Sequence, residues 1–576
     1  MAKHLSWGLR IGAWLILTFP LITRGSDDPR PDSPGEDAPI SFYKQIRPIL
    51  QANCQGCHQP AKAGGAFVMT SFDRLLKGGE SELAAIVAGK PDESNLIDQI
   101  TPLDGAALMP PDRPPLSSRD IDLIRRWIEQ GAKDDTPANA IQTYDQDHPP
   151  IYTRPPVITA LDYSPDGALL AAGGFHEVLL WKADGSEMVG RLVGLSERIE
   201  SVRFSPDGSK LAVTGGLPAR MGEVQVWDVA RRALRLSVPV TFDTIYGVSW
   251  SPDGTKLAFG CADNSVRAID VQTGEQVLFM GSHNDWALDT VFSKDGSHLI
   301  SVGRDMTAKL TEVATQRFVD NITSITPGAL KGGLAAVARH PQRDEIVVGG
   351  SDGEPKVYRV FRETNRVIGD DSNLIRQMPA LRGRIFSVAV SGDGKRIAAG
   401  SSLDGQGEVG VYSYEFDTSL PGDIKAIMQK VASTRSPEER AKLERYHSEG
   451  VKQIAKAAVP TAGVYAVAFQ PDGRRLAAAG SDGVIRLMDS ETGRILKEFS
   501  PVPLESKPTR RPAPIASAAS QPQEPTETET LPQGVVLASL EVQPTSIHLR
   551  DKFASTQLVV LGKTLSGETL DVTRMV

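Results

Sequence analysis

The chain has 576 residues, 40% of them hydrophobic and 23% charged, with 53 glycines, 40 prolines and three cysteines. That length leaves room for about three to four domains, and the composition is that of ordinary globular protein, tilted by Gly and Pro toward turns. A net charge of −8 excludes a protein that coats nucleic acid and leaves no basic footprint for anionic lipid.

The first residues read as an address. "MAKHLSWGLR" carries Lys3 and Arg10, "IGAWLILTFPLIT" is apolar, and "RGSDDPRPDSPGEDAP" is polar and Pro-rich. A basic start, a short apolar run and small residues at Gly25 and Ser26 predict a secretory signal over 1–25, followed by a linker over 26–40. The apolar run is short of the roughly 20 residues that span a bilayer. The expectation is an exported protein, periplasmic or in the cell envelope, with no membrane span beyond the signal.

Cys54 to His58 spell "CQGCH". A disulfide, half of a zinc site and covalent haem c all use closely spaced thiols. Zinc needs about four ligands, and the remaining cysteine, Cys261, stands far off in the strand-like run "KLAFGCADNSV". A thioredoxin-like pair wants a βαβ setting, which the flanks do not offer. Two thiols on one helical turn can form thioethers with the two vinyl groups of haem. The next residue, His58, then lies under the iron. Export fits this reading, because haem c is attached outside the cytoplasm.

The flanks are helical. "SFYKQIRPILQAN" spaces Phe42, Ile46, Ile49 and Leu50 on one face, with Pro48 forcing a kink or a fresh start. "SSRDIDLIRRWIEQGAKDD" has a cap at Ser117 or Ser118, an apolar face of Ile121, Ile124, Trp127 and Ile128, and a stop at Gly131. Between them stand two methionines. Met69, in "GGAFVMTSF", reads as core. Met109, in "GAALMPPDRPPL", offers a soft thioether on a loop stiffened by prolines, which suits a sixth ligand to haem iron.

"FYKQIRPILQANCQGCHQP", "LLKGGESEL", "PDESNLIDQI", "LMPP" and "LSSRDIDLIRRWIEQGA" together resemble the planctomycete-type cytochrome c domain, over residues 41–135. The resemblance implies a small all-α domain holding one covalent haem c on Cys54 and Cys57. It implies His58 and Met109 as the axial ligands.

After a linker over 136–157 the chain repeats itself. "YSPDG", "FSPDG", "WSPDG" and "FSKDG" end at Gly167, Gly208, Gly254 and Gly296, "VSGDG" at Gly394 and "FQPDG" at Gly473, with a degraded copy, "RHPQRDE", at Pro341. The first steps are 41, 46 and 42 residues (167 to 208 to 254 to 296). Each turn precedes an alternating apolar run and then a further strand, such as "VQVWDVA" or "IRLMDSETG". A period of about 40–45 residues with four short strands is a β-propeller blade. The repeat resembles the WD-repeat family, although Trp227–Asp228 is the one complete signature. The expectation is an all-β seven-bladed propeller over 158–504.

The last step is 79 residues (394 to 473). Its excess holds Ile424, Ile427, Met428 and Val431 at helical spacing and a "SPEER" cap with Pro437 in the first turn, which predicts a helical insertion over 423–457. "ESKPTRRPAPIASAASQPQEPTETETLPQG" predicts a disordered linker over 505–535. Residues 536–576 alternate in strand fashion and resemble the opening half of a bacterial Ig-like domain, a partial β-sandwich that stops short of both faces. A longer parent chain is expected from that break.

The fold class expected is therefore multidomain: a small all-α cytochrome c domain, an all-β seven-bladed propeller and a partial β-sandwich. The function expected is an exported haem-c protein that carries single electrons, with the propeller docking a redox partner protein. Two alternatives stay open. One is a multi-cofactor oxidoreductase whose propeller holds a second redox centre; it needs a ligand such as His176, His283, His298 or His340, which read as turn and core residues. The other is a non-catalytic scaffold or sensor. No Ser–His–Asp grouping, phosphate loop or EF-type calcium spacing stands out, and no nucleic-acid partner is expected.

Overall fold

A computed structural model describes residues 39–59, 62–81, 83–111, 114–136, 144–324, 332–367, 370–505, 537–543, 559–564 and 569–571. The signal segment and all but the first residue of the 505–535 linker lie outside these described residues. Among the described residues no helix is long and apolar enough to cross a membrane. The chain falls into two compact units, Met1–Ser506 and Lys507–Val576.

The first fold in the chain is helical. Ser41 caps one wide turn over Phe42–Ile46, its hydroxyl accepting from the Lys44 amide at 3.0 Å. Helix α1 (Arg47–Asn53) then starts afresh with Pro48 in its first turn, where no amide is needed. Three more helices follow: α2 (Phe72–Lys77), α3 (Asn95–Ile100) and α4 (Ser118–Glu129). Ser117 caps α4 by accepting from the Asp120 amide at 3.1 Å, and Gly131, at φ +94°, ends it. The apolar faces meet in one core of Phe42, Ile46, Leu50, Ile124, Trp127 and Ile128, with Phe42 stacked on Trp127 at 5.2 Å.

Between Leu161 and Phe499 the described strands form antiparallel sheets. Five sheets have four strands each, and one has seven, because the long strand Met188–Phe204 pairs at its start with Phe175–Lys182 and at its end with Lys210–Leu217. The sequence turns sit where they are expected. Each joins the first two strands of a four-strand run, and the six glycines have φ between +69° and +76°, a region open to glycine without cost. The first strands of neighbouring runs pack side by side in chain order, and Val464–Phe469 packs against Leu161–Tyr163, so the order returns on itself. Among the described residues the last sheet uses only consecutive strands, Val464–Phe469 to Ile495–Phe499. The ends are tied by Ile158 N–H to Gly480 O at 3.0 Å, Glu505 N–H to Tyr152 O at 2.9 Å and Trp181 Nε1–H to Pro501 O at 3.1 Å. Side chains bond neighbouring first strands: Asp162 accepts from the Phe204 amide at 2.7 Å, Ser201 from Val248 at 3.3 Å, Asp289 from Val337 at 3.0 Å and Ser387 from Val467 at 3.1 Å.

The helical insertion is shorter than its sequence suggests. Helix α5 (Gly422–Met428) buries Ile424, Ile427 and Met428, and α6 (Pro437–Ser448) carries a capping box between Ser436 and Glu439. Val431 falls beyond α5 and is 42% exposed. Residues 453–457, expected to be helical, belong to strand Gln453–Val459, which pairs with Gln406–Ser413 as the outer strand of its sheet. The pairing partner decides the conformation there, overriding an Ala- and Lys-rich run of helical propensity. In the second unit the described residues form one three-stranded antiparallel sheet, Leu537–Gln543, Val559–Thr564 and Thr569–Asp571; the other layer of the expected sandwich is not among them.

Candidate functional site

"CQGCH" follows α1 directly. The Cys54 carbonyl accepts from both the Cys57 amide at 3.1 Å and the His58 amide at 3.0 Å, so the motif makes one further helical turn. Neither thiol is in a disulfide: Cys54 is half-buried against the helical core, and Cys57 is exposed. Burial pushes the Cys54 thiol up to about 12, with the nearby Cys57 adding to it, so it is neutral at physiological pH. Cys261 is fully buried in a different core, in strand Lys256–Cys261, and has no part in this site.

His58 opens a short hairpin, His58–Gln59 with Lys62–Ala63. Its Nδ1 lies 3.0 Å from the Gly64 carbonyl, and its ring packs on Phe67 at 5.3 Å. A carbonyl can only accept, so Nδ1 carries the proton and the lone pair is left on Nε2. Burial holds the imidazole below its ordinary value, against the Gly64 and Phe67 carbonyls, which raise it. The ring is therefore the neutral form that ligates a metal. Gly64 approaches closely: a Cβ there would meet the Cys57 carbonyl at 3.3 Å and the His58 ring at 3.7 Å.

Cys54, Cys57, His58 and Met109 line one cavity of about 940 Å³, within the range of cofactor pockets. Met109 is 37% exposed at its edge, held by its amide to the Gln99 carbonyl at 2.8 Å, with Pro110 and Pro111 beside it. Met69 touches the same cavity but is 3% exposed and belongs to the helical core, as its sequence context suggests. Two thiols without a disulfide, a neutral imidazole with its Nδ1 engaged and a thioether around one apolar-walled space are a donor set that fits haem c.

Sequence reasoning missed one side of the cavity's wall. Strand Ala233–Thr241 supplies Arg235, Leu236, Ser237 and Pro239, and the turn at 272–275 supplies Thr273 and Glu275. No local pattern marks these residues, because they reach the motif only through packing of the two folds.

The four sequence-nominated histidines are each engaged elsewhere. His176 is buried between Tyr144 and Phe175. His298 bonds the Ser297 hydroxyl at 2.8 Å. His340 Nδ1 accepts from the Gln342 and Arg343 amides at 3.0 Å, replacing the serine of the regular turn. His283 lies 3.0 Å from Asp305 and 2.8 Å from the Ser301 hydroxyl. That is a Ser–His–Asp grouping the sequence did not disclose. Its serine is 3% exposed and its histidine 5%, so it ties the 283 turn to the neighbouring hairpin and offers no nucleophile to a substrate. Among the described residues no group of three or more His, Cys, Asp or Glu side chains is placed to hold a metal ion.

Residues 54–113 match the family model described as "Planctomycete cytochrome C". Residues 217–287 and 434–506 match the "Anaphase-promoting complex subunit 4 WD40 domain". Among curated proteins the chain is similar to "Eukaryotic translation initiation factor 3 subunit I" of Emericella nidulans, 30% identical over 207 residues, which is 34% of this chain and 59% of that protein. The same subunit of Coccidioides immitis is 29% identical over 208 residues, 33% of this chain and 58% of that protein. That of Drosophila willistoni is 24% identical over 261 residues, 43% and 78%. The chain thus spans under two thirds of the length of the first two relatives, and the sheets between Leu161 and Phe499 are WD40 blades.

Proposed function

We propose that this chain is an exported haem-c protein that carries single electrons, with a seven-bladed WD-repeat propeller as its docking platform for a redox partner protein. One observation carries the reading: Cys54, Cys57, His58 and Met109 line a single cavity. Cys54 and Cys57 would hold the group covalently through thioethers, and His58 Nε2 and the Met109 sulfur would ligate its iron. Bound haem c supplies a one-electron couple, and histidine–methionine ligation favours a fairly high potential. The chain's own residues do the rest. The Gly64 carbonyl orients the imidazole and fixes its tautomer. Phe67 and the helical core keep water from one side, and the proline-flanked loop presents the thioether.

The propeller half of the reading rests on the seven turn-and-strand repeats and on the return of the sheet order upon itself. WD40-bearing relatives are named as subunits of larger assemblies, which supports a docking role here. The test is haem staining of a denaturing gel after export through a haem-attachment pathway. Wild type stains, and the Cys54→Ala, Cys57→Ala double variant does not. Staining in the double variant, or none in wild type, overturns the reading. A visible spectrum with a second chromophore would favour the multi-cofactor oxidoreductase instead.

A further inference from the structure

The cavity beside "CQGCH" has two owners. One side is the helical fold; the other is strand Ala233–Thr241 and the 272–275 turn of the propeller. These two propeller segments form one continuous surface, since a Cβ on Gly274 would lie 2.9 Å from Val238 and 3.0 Å from Leu236. The helical fold is seated closely on that surface. A Cβ on Gly56, inside the motif, would fall 2.3 Å from the Ser237 carbonyl and 3.5 Å from Pro239. Nearby, the Tyr43 ring has Arg47 at 5.5 Å from its own fold and Arg220 at 6.0 Å from the propeller. Ser237 is itself fixed from behind. Its hydroxyl donates to Glu223, a buried carboxylate that also accepts from Ser196 at 2.7 Å and Gln225 at 2.8 Å.

We propose that the haem pocket is a cleft between the two folds, and that the propeller wall contacts the haem and tunes its potential, with Arg235 and Glu275 acting in opposite senses. The proposal rests on the haem reading above. Leu236 and Pro239 offer the ring an apolar seat across from the helices, and Arg235 and Glu275 bring the propeller's charge to the cavity. Reduction moves one electron from a soluble mediator, which is oxidised by one electron, into the site, with no bond made or broken. The site gains one negative charge, so a nearby cation favours the reduced form and a nearby anion the oxidised form. The Asp228 carboxylate, 2.8 Å from Arg235, holds that guanidinium in place.

The experiment is a mediator redox titration of the full-length holoprotein at low ionic strength, after covalent haem has been confirmed by staining in each variant. Arg235→Glu is expected to shift the reduction equilibrium about tenfold toward the oxidised form, about 59 mV for one electron. Arg235→Lys should stay within about twofold of wild type. Glu275→Lys, at an exposed position, should shift the equilibrium the opposite way. Both shifts should shrink in high salt. Stained variants with unmoved potentials, or with shifts of one sign, overturn this proposal and leave the haem reading standing. A wild type without covalent haem overturns both.

Discussion

Met109 offers its thioether from a restrained backbone. Its amide is bound to the Gln99 carbonyl and two prolines follow it, so the main chain that presents the side chain to the cavity is held. The two methionines of this fold therefore divide by burial, with Met69 in the core and Met109 at the cavity. Met109→Ala should retain covalent haem on Cys54 and Cys57, lose the weak sulfur-to-iron absorption at the red end and lower the potential. An unchanged red band would transfer the sixth position to another ligand. At this scale Cys54, Cys57, His58 and Met109 could be nominated from the sequence because the signal is local, five consecutive residues and a proline-flanked loop, and the four line one cavity. Gly56 could not be, since its requirement for a bare Cα comes from Ser237 in another fold. His283, Ser301 and Asp305 were hidden for the same reason, their grouping being made by a sheet and not by spacing.

The repeated turn shows what an element can and cannot reveal before it is seen. Pro-Asp-Gly announces the turn, but the serine before it does as much. Ser251 accepts from the Lys256 amide at 2.9 Å, donates to Asp253 at 2.5 Å, and gives its carbonyl to the Gly254 amide at 2.9 Å. Ser164, Ser205, Ser293 and Ser391 repeat the pattern. The Ser251 hydroxyl leads the hydrogen bonds that hold the Asp253 carboxyl down to about 2. Ser251→Ala would leave the Lys256 amide without its acceptor and should lower stability by about 1–2 kcal/mol. Chemical denaturation of the full chain reads that loss as a lower midpoint at unchanged slope; an unmoved midpoint would mean water replaces the hydroxyl freely. The strand Gln453–Val459 marks the limit of this scale. Its own residues argue for helix, and only Gln406–Ser413, across a helical excursion, makes it a strand.

Across the whole molecule, the two folds were legible one by one, and their docking was not. Periodicity reports what a segment does with its own neighbours, and a shared cavity leaves no period. The same holds for the groups that stitch the ring. Asp289 stands on a first strand facing the central cavity, and its carboxylate accepts from Val337 at 3.0 Å and Thr290 at 2.9 Å. Burial raises its pKa from 3.8 to about 6, opposed by Arg203 and by those two amides. The folded state therefore binds protons more tightly than the unfolded chain between these two values. Where the native state holds the extra proton, stability falls as pH rises. The cost of Asp289 is absent below about pH 4, develops up to about pH 6 and is complete above it. Water in the central cavity screens part of it, so about 1–2 kcal/mol is expected of the roughly 3 kcal/mol that such a displacement represents. An asparagine at this position cannot ionise, but it also cannot accept from both amides with two carboxylate oxygens, so the absolute stability of Asp289→Asn mixes two effects. Their pH dependence separates them: the lost acceptor costs the same at every pH, and the charge does not. The difference in stability between variant and wild type should move in the variant's favour by about two thirds of that amount from pH 4.5 to pH 7, the rest having developed below pH 4.5, followed by denaturant midpoints at each pH. A difference that stays constant would mean that Arg203 and the two amides compensate the buried charge in full, and that the ring is held without an ionic penalty at this position.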